Sequence, residues 1–484
     1  MKVLSDLLYK SGIEEVKGDT KRLVRSVCFD SRQATTDSMF VATRGTNIDG
    51  HFFIDATIKK GSTVILCEEF PEKIESTITY VKVKNSSYAL GIVASNFYDN
   101  PSDKLKLIGV TGTNGKTTIV NILYQLFTML GAKVGMLSTI ENKILDRTFP
   151  AKYTTPDALE INYLLSKMLK EKCEYCFMEV SSHAISQSRI FGLKFSAGIF
   201  TNITHDHLDY HKTFKEYFSV KKNFFSSLKK NAYAIINIDD NQSKFIINEL
   251  KCKVHTYSLK SKASYMCKIL EMNLDYMSLD INKLNSNFSI VGKFNAYNLL
   301  SAFAVAHHYK FKALEILKSL SSLKSAEGRF QHFKSKNNTH IIIDYAHTPD
   351  ALNNVLSTIN ELSKHHNKLI TVFGCGGERD KEKRPIMTKI AYDLSTHVIV
   401  TSDNPRSEDP EEIIKQMLSG LDTNDYMPII IKNRKKAIRE GYLMLEENDI
   451  MLIAGKGHEN YQEINKTRIP FSDIHEVKQL INLK

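Results

Sequence analysis

One stretch of the sequence, Val110–Thr118, limits most strongly how this chain can fold. It reads VTGTNGKTT and follows an apolar run that contains Leu105, Leu107 and Ile108. The next residues, Ile119–Leu130, have the apolar spacing of a helix. The sequence therefore predicts a strand, a phosphate-binding loop and a helix in direct succession.

A loop of this kind points backbone N–H groups at an anion, at the start of a helix whose dipole favours negative charge. We expect Lys116 to reach the β- and γ-phosphates of a nucleotide and the Thr117 hydroxyl to hold Mg²⁺. The usual spacing G-x-x-x-x-G-K-[ST] is not fully met, because the first glycine is either Gly109 or Gly112. An ordinary strand-to-helix turn is the alternative interpretation. The predicted ATP-binding residues of the loop are Thr111, Gly112, Thr113, Asn114, Gly115, Lys116 and Thr117.

Length and composition limit the class of protein. The 484 residues suggest about three domains, and 42% hydrophobic with 25% charged residues is typical of a soluble globular protein. No apolar stretch approaches the roughly 18 residues of a membrane helix, so we expect a cytoplasmic protein without a membrane partner. Met1–Leu7 resembles a short amphipathic helix more than a signal peptide.

The charged residues and cysteines narrow the possible chemistry. The net charge of +11 comes from lysines spread along the chain, which favours anionic small substrates over nucleic acid. Seven scattered cysteines include one C-x-x-C pair, Cys173 and Cys176, without a second pair at zinc spacing. Buried thiols are therefore favoured over metal or redox chemistry.

The pattern of strands and helices predicts an α/β fold with three domains. Residues 1–101 are expected to form a small α/β domain, 102–325 a central domain with a mostly parallel sheet, and 326–484 a doubly wound, Rossmann-like domain. The predicted strands of the outer domains are Val24–Asp30, Ser38–Val41, Thr63–Cys67, Thr79–Val83, His340–Asp344, Leu369–Phe373, His397–Thr401, Ile429–Ile431 and Ile450–Ala454. Gly374–Gly377 suggests a dinucleotide loop, but the G-x-G-x-x-G spacing fails at Arg379.

Two polar stretches follow strands of the central domain. Glu179 ends an apolar strand, where a second oxygen ligand for Mg²⁺ is expected in a phosphate-loop protein. The stretch His205–His211 is dense in potential ligands, although its spacing alone leaves metal binding and a structural role equally open.

Four motifs together resemble the Mur ligases of peptidoglycan synthesis. They are T-G-T-N-G-K-T-T, E-V-S-S-H, the run N-x-x-x-D-H-x-D-Y-H and a distant G-K-F-N-x-x-N, and the resemblance covers the whole chain. Mur ligases, and the related folylpolyglutamate synthetases, use ATP to convert a carboxylate into an acyl phosphate that an amine then attacks. The resemblance implies a first domain that binds a UDP-sugar, a central ATP-binding domain and a third domain that binds an amino acid.

The resemblance also implies roles for individual residues. Thr117 and Glu179 would hold one Mg²⁺, and Glu179 and His207 a second one together with Lys221 as a carbamate (N6-carboxylysine). Lys116, Lys221 and His207 are thus the implied catalytic residues, whereas His205 and His211 are expected to be structural. Further implied ATP contacts are Asn295, Arg329 and Asp344, with Asn298 beside Asn295 on one helix face. The implied contacts to UDP-N-acetylmuramoyl-dipeptide are Ser31, Thr154, Thr155, Ser182, Gln187 and Arg189.

The motif Asp403-Asn404-Pro405-Arg406 bears on the choice of amine. In the family, D-N-P-R resembles the signature of enzymes that add meso-diaminopimelate, and a guanidinium suits the second carboxylate of that amino acid. Arg379, Gly455 and Glu459 match the other contacts to it. The resemblance therefore implies an ATP-dependent ligase reaction between meso-diaminopimelate and UDP-N-acetylmuramoyl-L-alanyl-D-glutamate, in an enzyme expected to be a monomer. A lysine-adding ligase, a folate-polyglutamylating ligase and a non-enzymatic nucleotide switch are the alternatives.

Overall fold

In the computed structural model of the protein, the described residues are 1–45, 48–335, 337–362, 368–421 and 427–482. Within them the chain forms three α/β domains, each built on its own sheet. The fold class predicted from the sequence is confirmed. The predicted boundaries at 101/102 and 325/326 remain a proposal.

The first domain contains a sheet with strand order β2-β7-β6-β5-β4, in which β2 is antiparallel to its neighbour and the other pairs are parallel. Its elements are β1 (Lys2–Val3), α1 (Leu4–Leu7), β2 (Ile13–Lys17), β3 (Leu23–Val24), β4 (Ser26–Cys28), β5 (Ser38–Val41), α2 (Ile54–Lys59), β6 (Ser62–Cys67), β7 (Thr79–Val83) and α3 (Ser86–Phe97). The predicted strand Val24–Asp30 was wrong in extent. Val24 pairs with Lys2, β4 pairs with β5, and the Asp30 carboxylate accepts a hydrogen bond from the Arg32 N–H to cap a 3₁₀ turn.

The central domain contains one sheet with eleven strands among the described residues. Seven of its strands are parallel and lie in the order β9-β12-β8-β13-β14-β15-β16. Strands β10 and β11 extend one edge of the sheet and strands β17 and β18 the other, each pair as an antiparallel ribbon. The elements are β8 (Lys106–Thr111), α4 (Lys116–Met129), β9 (Val134–Leu137), β10 (Glu141–Ile144), β11 (Arg147–Pro150), α5 (Ala158–Lys170), β12 (Tyr175–Glu179), α6 (Ser182–Ser186), β13 (Ala197–Phe200), α7 (Leu208–His211), α8 (Phe214–Ser226), β14 (Tyr233–Asn237), α9 (Ser243–Ile247), β15 (Lys253–Ser258), β16 (Tyr265–Met272), β17 (Met277–Ile281), β18 (Leu284–Phe288), α10 (Lys293–His308) and α11 (Ala313–Ser321).

The third domain contains a sheet with order β19-β20-β24-β21-β22-β23, parallel except for its edge strand β19. Its elements are β19 (Gln331–Lys334), β20 (His340–Asp344), α12 (Pro349–Leu362), β21 (Leu369–Phe373), α13 (Lys383–Leu394), β22 (His397–Val400), α14 (Pro410–Leu418), β23 (Ile429–Ile430), α15 (Arg434–Leu443), β24 (Ile450–Ala454), β25 (Tyr461–Ile464), β26 (Thr467–Pro470) and α16 (Asp473–Asn482). The sequence analysis missed the hairpin of β25 and β26.

Parallel order brings the chemically important loops together. Strand β8 lies between β12 and β13, so the phosphate loop after β8 is next to Glu179 at the end of β12. The apolar core explains why β8 is central, since Leu107, Ile108 and Val110 are fully buried against both faces of the sheet. One continuous apolar cluster runs from α4 and α10 into the third domain, which holds that domain against the phosphate loop.

Candidate active site

The glycines of the phosphate loop have different tasks. Gly109 lies within β8, where a Cβ would meet the ring of Phe224 at 2.7 Å, so this glycine serves packing. Gly112 follows β8, and a Cβ there would lie 1.9 Å from the Thr201 hydroxyl oxygen. Gly115 has a φ of 90°, in the left-handed region that glycine tolerates best, and precedes α4 directly. The loop glycines are therefore Gly112 and Gly115.

Lys116 is folded over the loop. Its ammonium donates hydrogen bonds to the carbonyl oxygens of Gly112 at 3.0 Å and Thr113 at 2.7 Å. Burial lowers the pKa of Lys116, and the carboxylates of Glu179 and Asp206 oppose that shift. The ammonium thus lies where the backbone N–H groups of the loop and the start of α4 also favour an anion.

A chain of polar contacts joins the loop to the third domain. The Thr117 hydroxyl donates to Glu179 Oε2 at 3.0 Å and accepts from Arg329 Nη2 at 3.1 Å. Glu179 is fully buried, and its Oε1 accepts from the Thr139 N–H at 2.7 Å. The structure therefore brings two predicted metal ligands and one predicted phosphate contact to a single point.

Lys221 enters the same region from α8. Its side chain is 1% exposed, and its amino group donates to the Gly112 carbonyl oxygen at 2.8 Å. Burial lowers the pKa of Lys221 well below its usual value, and the charge of Lys116 lowers it further. Lys222, in contrast, points outward to Glu249 at 2.7 Å. Of the two adjacent lysines, Lys221 is therefore the one that reaches the phosphate loop.

His207 faces this group from the loop before α7. Its backbone has a φ of 55°, and its Nε2 lies 3.3 Å from a carboxylate oxygen of Asp206. Burial lowers the pKa of His207, although Asp206 acts in the opposite direction. A neutral imidazole is the form that binds a metal ion.

His183 and His211 pack beside His207. The ring centroids of His183 and His207 are 4.9 Å apart, and those of His183 and His211 are 5.7 Å apart. His211 is fully buried, and within the described chain neither of its ring nitrogens has a hydrogen-bond partner. Its packing fits the predicted structural role, which stays a prediction.

The residues around Thr117 fit Mg²⁺ in the way expected of a phosphate-loop site. Mg²⁺ prefers oxygen ligands and usually combines one or two carboxylates with substrate phosphates and water. No Lys, Arg or His among the described residues pairs with the buried Glu179 within 4 Å. Nor do those residues form a group of three or more His, Cys, Asp or Glu side chains able to hold a metal alone. Oxygens of the nucleotide and of a Lys221 carbamate would complete such a site.

The residues implied for the dipeptide line part of a cavity that is also lined by the phosphate loop. Thr154, Thr155, Ser182 and Arg189 lie on its wall. Arg189 donates to Gln187 Oε1 at 2.6 and 2.9 Å, which fixes the guanidinium, and burial lowers its pKa. The Ser182 hydroxyl is buried without a hydrogen-bond partner in the described part of the chain.

Two of the implied dipeptide contacts, Thr155 and Ser31, make hydrogen bonds to other parts of the protein. Thr155 is fully buried, and its hydroxyl donates to the Glu179 carbonyl oxygen at 2.8 Å, so it braces the end of β12. Ser31 lies in the first domain, where its carbonyl oxygen accepts from the Lys60 ammonium at 2.9 Å. Its contact with a substrate stays a prediction.

The residues implied for the amino acid line another wall of the same cavity, which has a volume of about 540 Å³. Three separate loops, after β21, β22 and β24, supply them. The wall contains Arg379, Asp403, Asn404, Arg406, Gly455 and Glu459, and Pro405 shapes the backbone beside them. A Cβ on Gly455 would lie 2.7 Å from Asp403 Oδ2, so this glycine permits the close approach of the two loops.

The hairpin β25–β26 braces the D-N-P-R loop. The Arg406 N–H donates to the Glu463 carbonyl oxygen at 3.0 Å, and the Glu463 N–H donates to Asn404 Oδ1 at 2.9 Å. The Arg406 side chain donates to the Gly377 carbonyl oxygen at 2.5 Å and lies 3.8 Å from the Glu463 carboxylate. Arg406 has a φ of 55°, a strained conformation that these contacts hold in place.

A second cavity of about 400 Å³ is lined by Asn202 and Asp350, which contact Asn114 of the phosphate loop. Asn298 lines it, and a Cβ on Gly115 would lie 2.8 Å from Asn298 Oδ1. Asn295 is buried behind Asn298 and accepts a hydrogen bond from its amide at 2.9 Å. Asn298 therefore lines the second cavity, and Asn295 supports it from behind.

Asp344 lies behind Arg329 at the end of β20. Its carboxylate accepts from the Phe330 N–H at 2.6 Å, and burial raises its pKa to about 6.

Two residues that line the second cavity, Asn202 and Asp350, had no predicted role in the sequence analysis. The Asn202 side chain accepts from the Asn114 N–H at 2.9 Å, and Asp350 accepts from the Asn114 side chain at 2.7 Å. The N-x-x-x-D-H run begins at Asn202, so this motif could have identified Asn202 as a candidate site residue.

Comparison with known proteins agrees with this geometry. Three family models match the chain in order: Mur ligase family, catalytic domain, over residues 23–98; Mur ligase middle domain over 110–306; and Mur ligase, glutamate ligase domain, over 328–457. The UDP-N-acetylmuramoyl-L-alanyl-D-glutamate–2,6-diaminopimelate ligase of Cytophaga hutchinsonii is 49% identical over 482 residues, 99% of each chain. The chain belongs to the Mur ligase family.

Two further comparisons extend over nearly the whole Mur ligase chain. The ligase of the same name from Bacteroides thetaiotaomicron is 47% identical and covers 99% of this chain and 100% of that relative. A solved structure of a UDP-N-acetylmuramoyl-L-alanyl-D-glutamate–2,6-diaminopimelate ligase has 31% identity and a TM-score of 0.69 over 98% of both chains. The family resemblance predicted from the four sequence motifs is confirmed.

Proposed function

We propose that this Mur ligase is an ATP-dependent amide ligase that joins meso-diaminopimelate to UDP-N-acetylmuramoyl-L-alanyl-D-glutamate. The reaction would release ADP and phosphate. One observation carries the proposal: the phosphate loop and the D-N-P-R loop line one shared cavity. The high identity to relatives named for this reaction supports the same substrates.

The first half of the reaction needs a phosphoryl group held beside a carboxylate. Lys116, which contacts the loop carbonyls, and the backbone N–H groups of the loop would bind the phosphates, and Arg329, which contacts Thr117, would neutralise charge as it develops. The second cavity is suitable for the base and ribose of ATP because it opens beside Gly115. A carboxylate oxygen of the dipeptide attacks the γ-phosphorus, ADP leaves, and an acyl phosphate forms.

The second half needs an amine near that acyl phosphate. Arg406 and Arg379 supply positive charge for a distal carboxylate, and Asp403 and Glu459 supply acceptors for an ammonium. The neutral amine attacks the acyl carbon, and the C–O bond to phosphate breaks. The amide forms, inorganic phosphate leaves, and the proton lost from the nitrogen passes to solvent or phosphate.

Mg²⁺ would occupy two sites: Thr117 and Glu179 would hold one ion, and Glu179, His207 and the carbamate of Lys221 would hold a second. When bound, it would supply positive charge to the phosphate oxygens. Burial lowers the pKa of Lys221 and thereby favours its neutral amine, which is the form that reacts with CO₂. Lys221 would become an anionic oxygen ligand in this way, and its nearest alternative, Lys222, faces Glu249 instead.

The remaining expectations about the protein's surroundings form part of the proposal. Among the helices of the described residues, none combines the length and apolar character needed to cross a membrane. We propose that the enzyme acts in the cytoplasm as a monomer on three small molecules: ATP, the nucleotide dipeptide and diaminopimelate. A folate-polyglutamylating activity is less well supported, since the relatives at 47–49% identity carry the diaminopimelate name.

Phosphate release tests the proposal. Purified protein is mixed with ATP, Mg²⁺ and the nucleotide dipeptide, and phosphate and product mass are measured with meso-diaminopimelate, lysine or no amine. We expect phosphate and a new amide product with meso-diaminopimelate and little with lysine. Phosphate release that is independent of the amine, or a preference for lysine, would contradict the proposed substrate.

A further inference from the structure

Lys456 lies directly behind the wall that the amino acid is proposed to contact. It follows β24 in the stretch Gly455–Glu459, and its side chain is fully buried. Lys456 does not line the cavity, whereas Asp403, Asn404 and Glu459 do. Its charge must therefore act through these neighbours, because it has no surface of its own on the cavity.

The ammonium of Lys456 connects two loops that are distant in sequence. It donates to Asn404 Oδ1 at 3.0 Å and to Glu459 Oε2 at 2.8 Å. A carboxylate oxygen of Asp403 lies 3.9 Å away. These partners come from the D-N-P-R loop after β22 and from the loop after β24. One cation therefore determines how the two loops meet.

The contacts fix the orientation of the Asn404 amide. Its oxygen accepts from two donors, the Lys456 ammonium and the Glu463 N–H, the latter at 2.9 Å. Its nitrogen donates to Glu459 Oε2 at 2.8 Å. Because both donors face the oxygen and a carboxylate faces the nitrogen, a flipped amide would lose all three hydrogen bonds.

The same contacts fix which oxygen of Glu459 is available. Oε2 already accepts from Lys456 and Asn404, whereas Oε1 has one long contact, 3.5 Å from the Tyr345 hydroxyl. Oε1 is thus the oxygen left for an ammonium group of the substrate. Lys456 also balances charge, because its ammonium lies 2.8 Å from a carboxylate oxygen of Glu459 and 3.9 Å from one of Asp403, and both carboxylates are largely buried.

We infer that Lys456 is a positioning residue for the amine substrate: it fixes Asn404 and directs Glu459 Oε1 toward an ammonium group without contacting the substrate itself. This inference rests on the proposed function, because it assumes that an amino acid binds at this wall. It predicts a specific kinetic signature. Loss of Lys456 should impair the use of diaminopimelate and leave the sites for ATP and the nucleotide dipeptide largely intact.

The test compares the KM values of all three substrates in Lys456→Met. Methionine keeps the length and apolar stem of lysine but removes the charge and its hydrogen bonds. We expect the KM for diaminopimelate to rise about tenfold or more, since hydrogen bonds to charged groups are lost at the wall. The KM values for ATP and the dipeptide should change less than about twofold. Equal increases in all three KM values would overturn the inference.

A destabilising control separates positioning from a merely structural role. Ile474 is buried in α16 against the opposite face of the sheet, so Ile474→Ala should lower the melting temperature without changing the ratio of KM values. If Lys456→Met gives the same pattern as Ile474→Ala, the positioning role is wrong. Should the methionine protein fail to fold, Lys456→Gln provides a second variant, because it removes the charge and retains an N–H donor group.

A double-mutant cycle adds a readout that a structural role would not produce. If Lys456 acts through Glu459, then Lys456→Met should raise the KM for diaminopimelate much less in a Glu459→Gln background than in the wild type. Independent, multiplicative effects would overturn the inference. The wild type is assayed first. Absence of amine-dependent phosphate release there would refute the proposed function as well, whereas normal release with an unchanged variant KM refutes the role of Lys456 alone.

Discussion

The two walls of the cavity are built in different ways. The phosphate wall comes mainly from one continuous stretch, β8, its loop and the start of α4, and much of its binding surface is backbone. The amino-acid wall comes from three loops after β21, β22 and β24 and from a hairpin that braces them. A common ligand such as phosphate can be bound by one local motif. Selection of one amine needs several charged side chains, which come from loops that are distant in sequence.

This comparison predicts effects of different size and kind. Changes at the phosphate wall should abolish chemistry with every amine. Changes at the amino-acid wall should alter the choice of amine and leave the use of ATP intact.

The largest effect is expected for Lys116→Ala. The Lys116 ammonium donates hydrogen bonds to the carbonyl oxygens of Gly112 and Thr113 in the phosphate loop. In the proposed reaction, negative charge develops on the phosphates bound at this loop. Removing such a group costs about 3–4 kcal/mol of transition-state stabilisation, so kcat should fall roughly 100- to 1000-fold with any amine. Steady-state phosphate release measures this, with the exposed Lys133→Ala as the control. Near-normal turnover in Lys116→Ala would rule out the phosphate-loop assignment.

A large but partly reversible loss is expected for Lys221→Ala. This variant removes the buried amino group that would carry the carbamate, so activity should fall severely. Short-chain carboxylates such as acetate should restore part of it by supplying the missing oxygen ligand.

The control for Lys221 is its neighbour. Lys222→Ala removes a lysine that points to Glu249 on the surface, so it should retain nearly full activity. Full activity of Lys221→Ala would refute the ligand role, and equal losses in the two variants would indicate a general effect on α8.

A smaller and selective loss is expected for Arg406→Ala. Each charged hydrogen bond to a carboxylate contributes about 1.5–3 kcal/mol, so kcat/KM for meso-diaminopimelate should fall roughly ten- to a hundredfold or more. The KM for ATP should hardly change. Discrimination against lysine should narrow, because the repulsion of its distal ammonium is removed.

The competing interpretation is that Arg406 only braces its loop, given its positive φ and its bond to Gly377. That interpretation predicts a lower melting temperature and an unchanged ratio of kcat/KM for the two amines. Arg439→Ala, on the exposed face of α15, is the matched control. An unchanged ratio in Arg406→Ala would remove the reason for naming this amine.

The smallest effect is expected for Asn298→Ala at the second cavity. One hydrogen bond contributes about 1 kcal/mol, so the KM for ATP should rise roughly fivefold while the KM for diaminopimelate stays the same. The exposed Asn287→Ala serves as the control. If the KM for ATP does not change, the second cavity is not the site of the base and ribose.

The same contrast explains what could be predicted from sequence. Strands β20, β21 and β24 match their predicted bounds, because a fully buried parallel strand reads as a continuous apolar run. The edge ribbons β10–β11 and β17–β18 and the hairpin β25–β26 were missed, because edge strands carry mixed polar residues and weak alternation.

For the site, the phosphate-loop motif alone was enough to predict Lys116 and Thr117 as candidate site residues. Family resemblance was needed to select Lys221 over Lys222, since adjacent lysines look alike until the helix face is known. The bracing by Glu463 and the position of Lys456 could not be predicted, because they depend on contacts between loops some 50 residues apart. The roles of all these residues remain predictions that the variants above address.

Transfer of an oxygen label tests the central claim most directly. If a carboxylate is activated on the phosphate wall and attacked from the amino-acid wall, one carboxylate oxygen must leave with the phosphate. With the D-glutamyl carboxylates labelled with ¹⁸O, we predict one ¹⁸O atom in each inorganic phosphate released together with the amide product. Product formation with unlabelled phosphate would contradict the account.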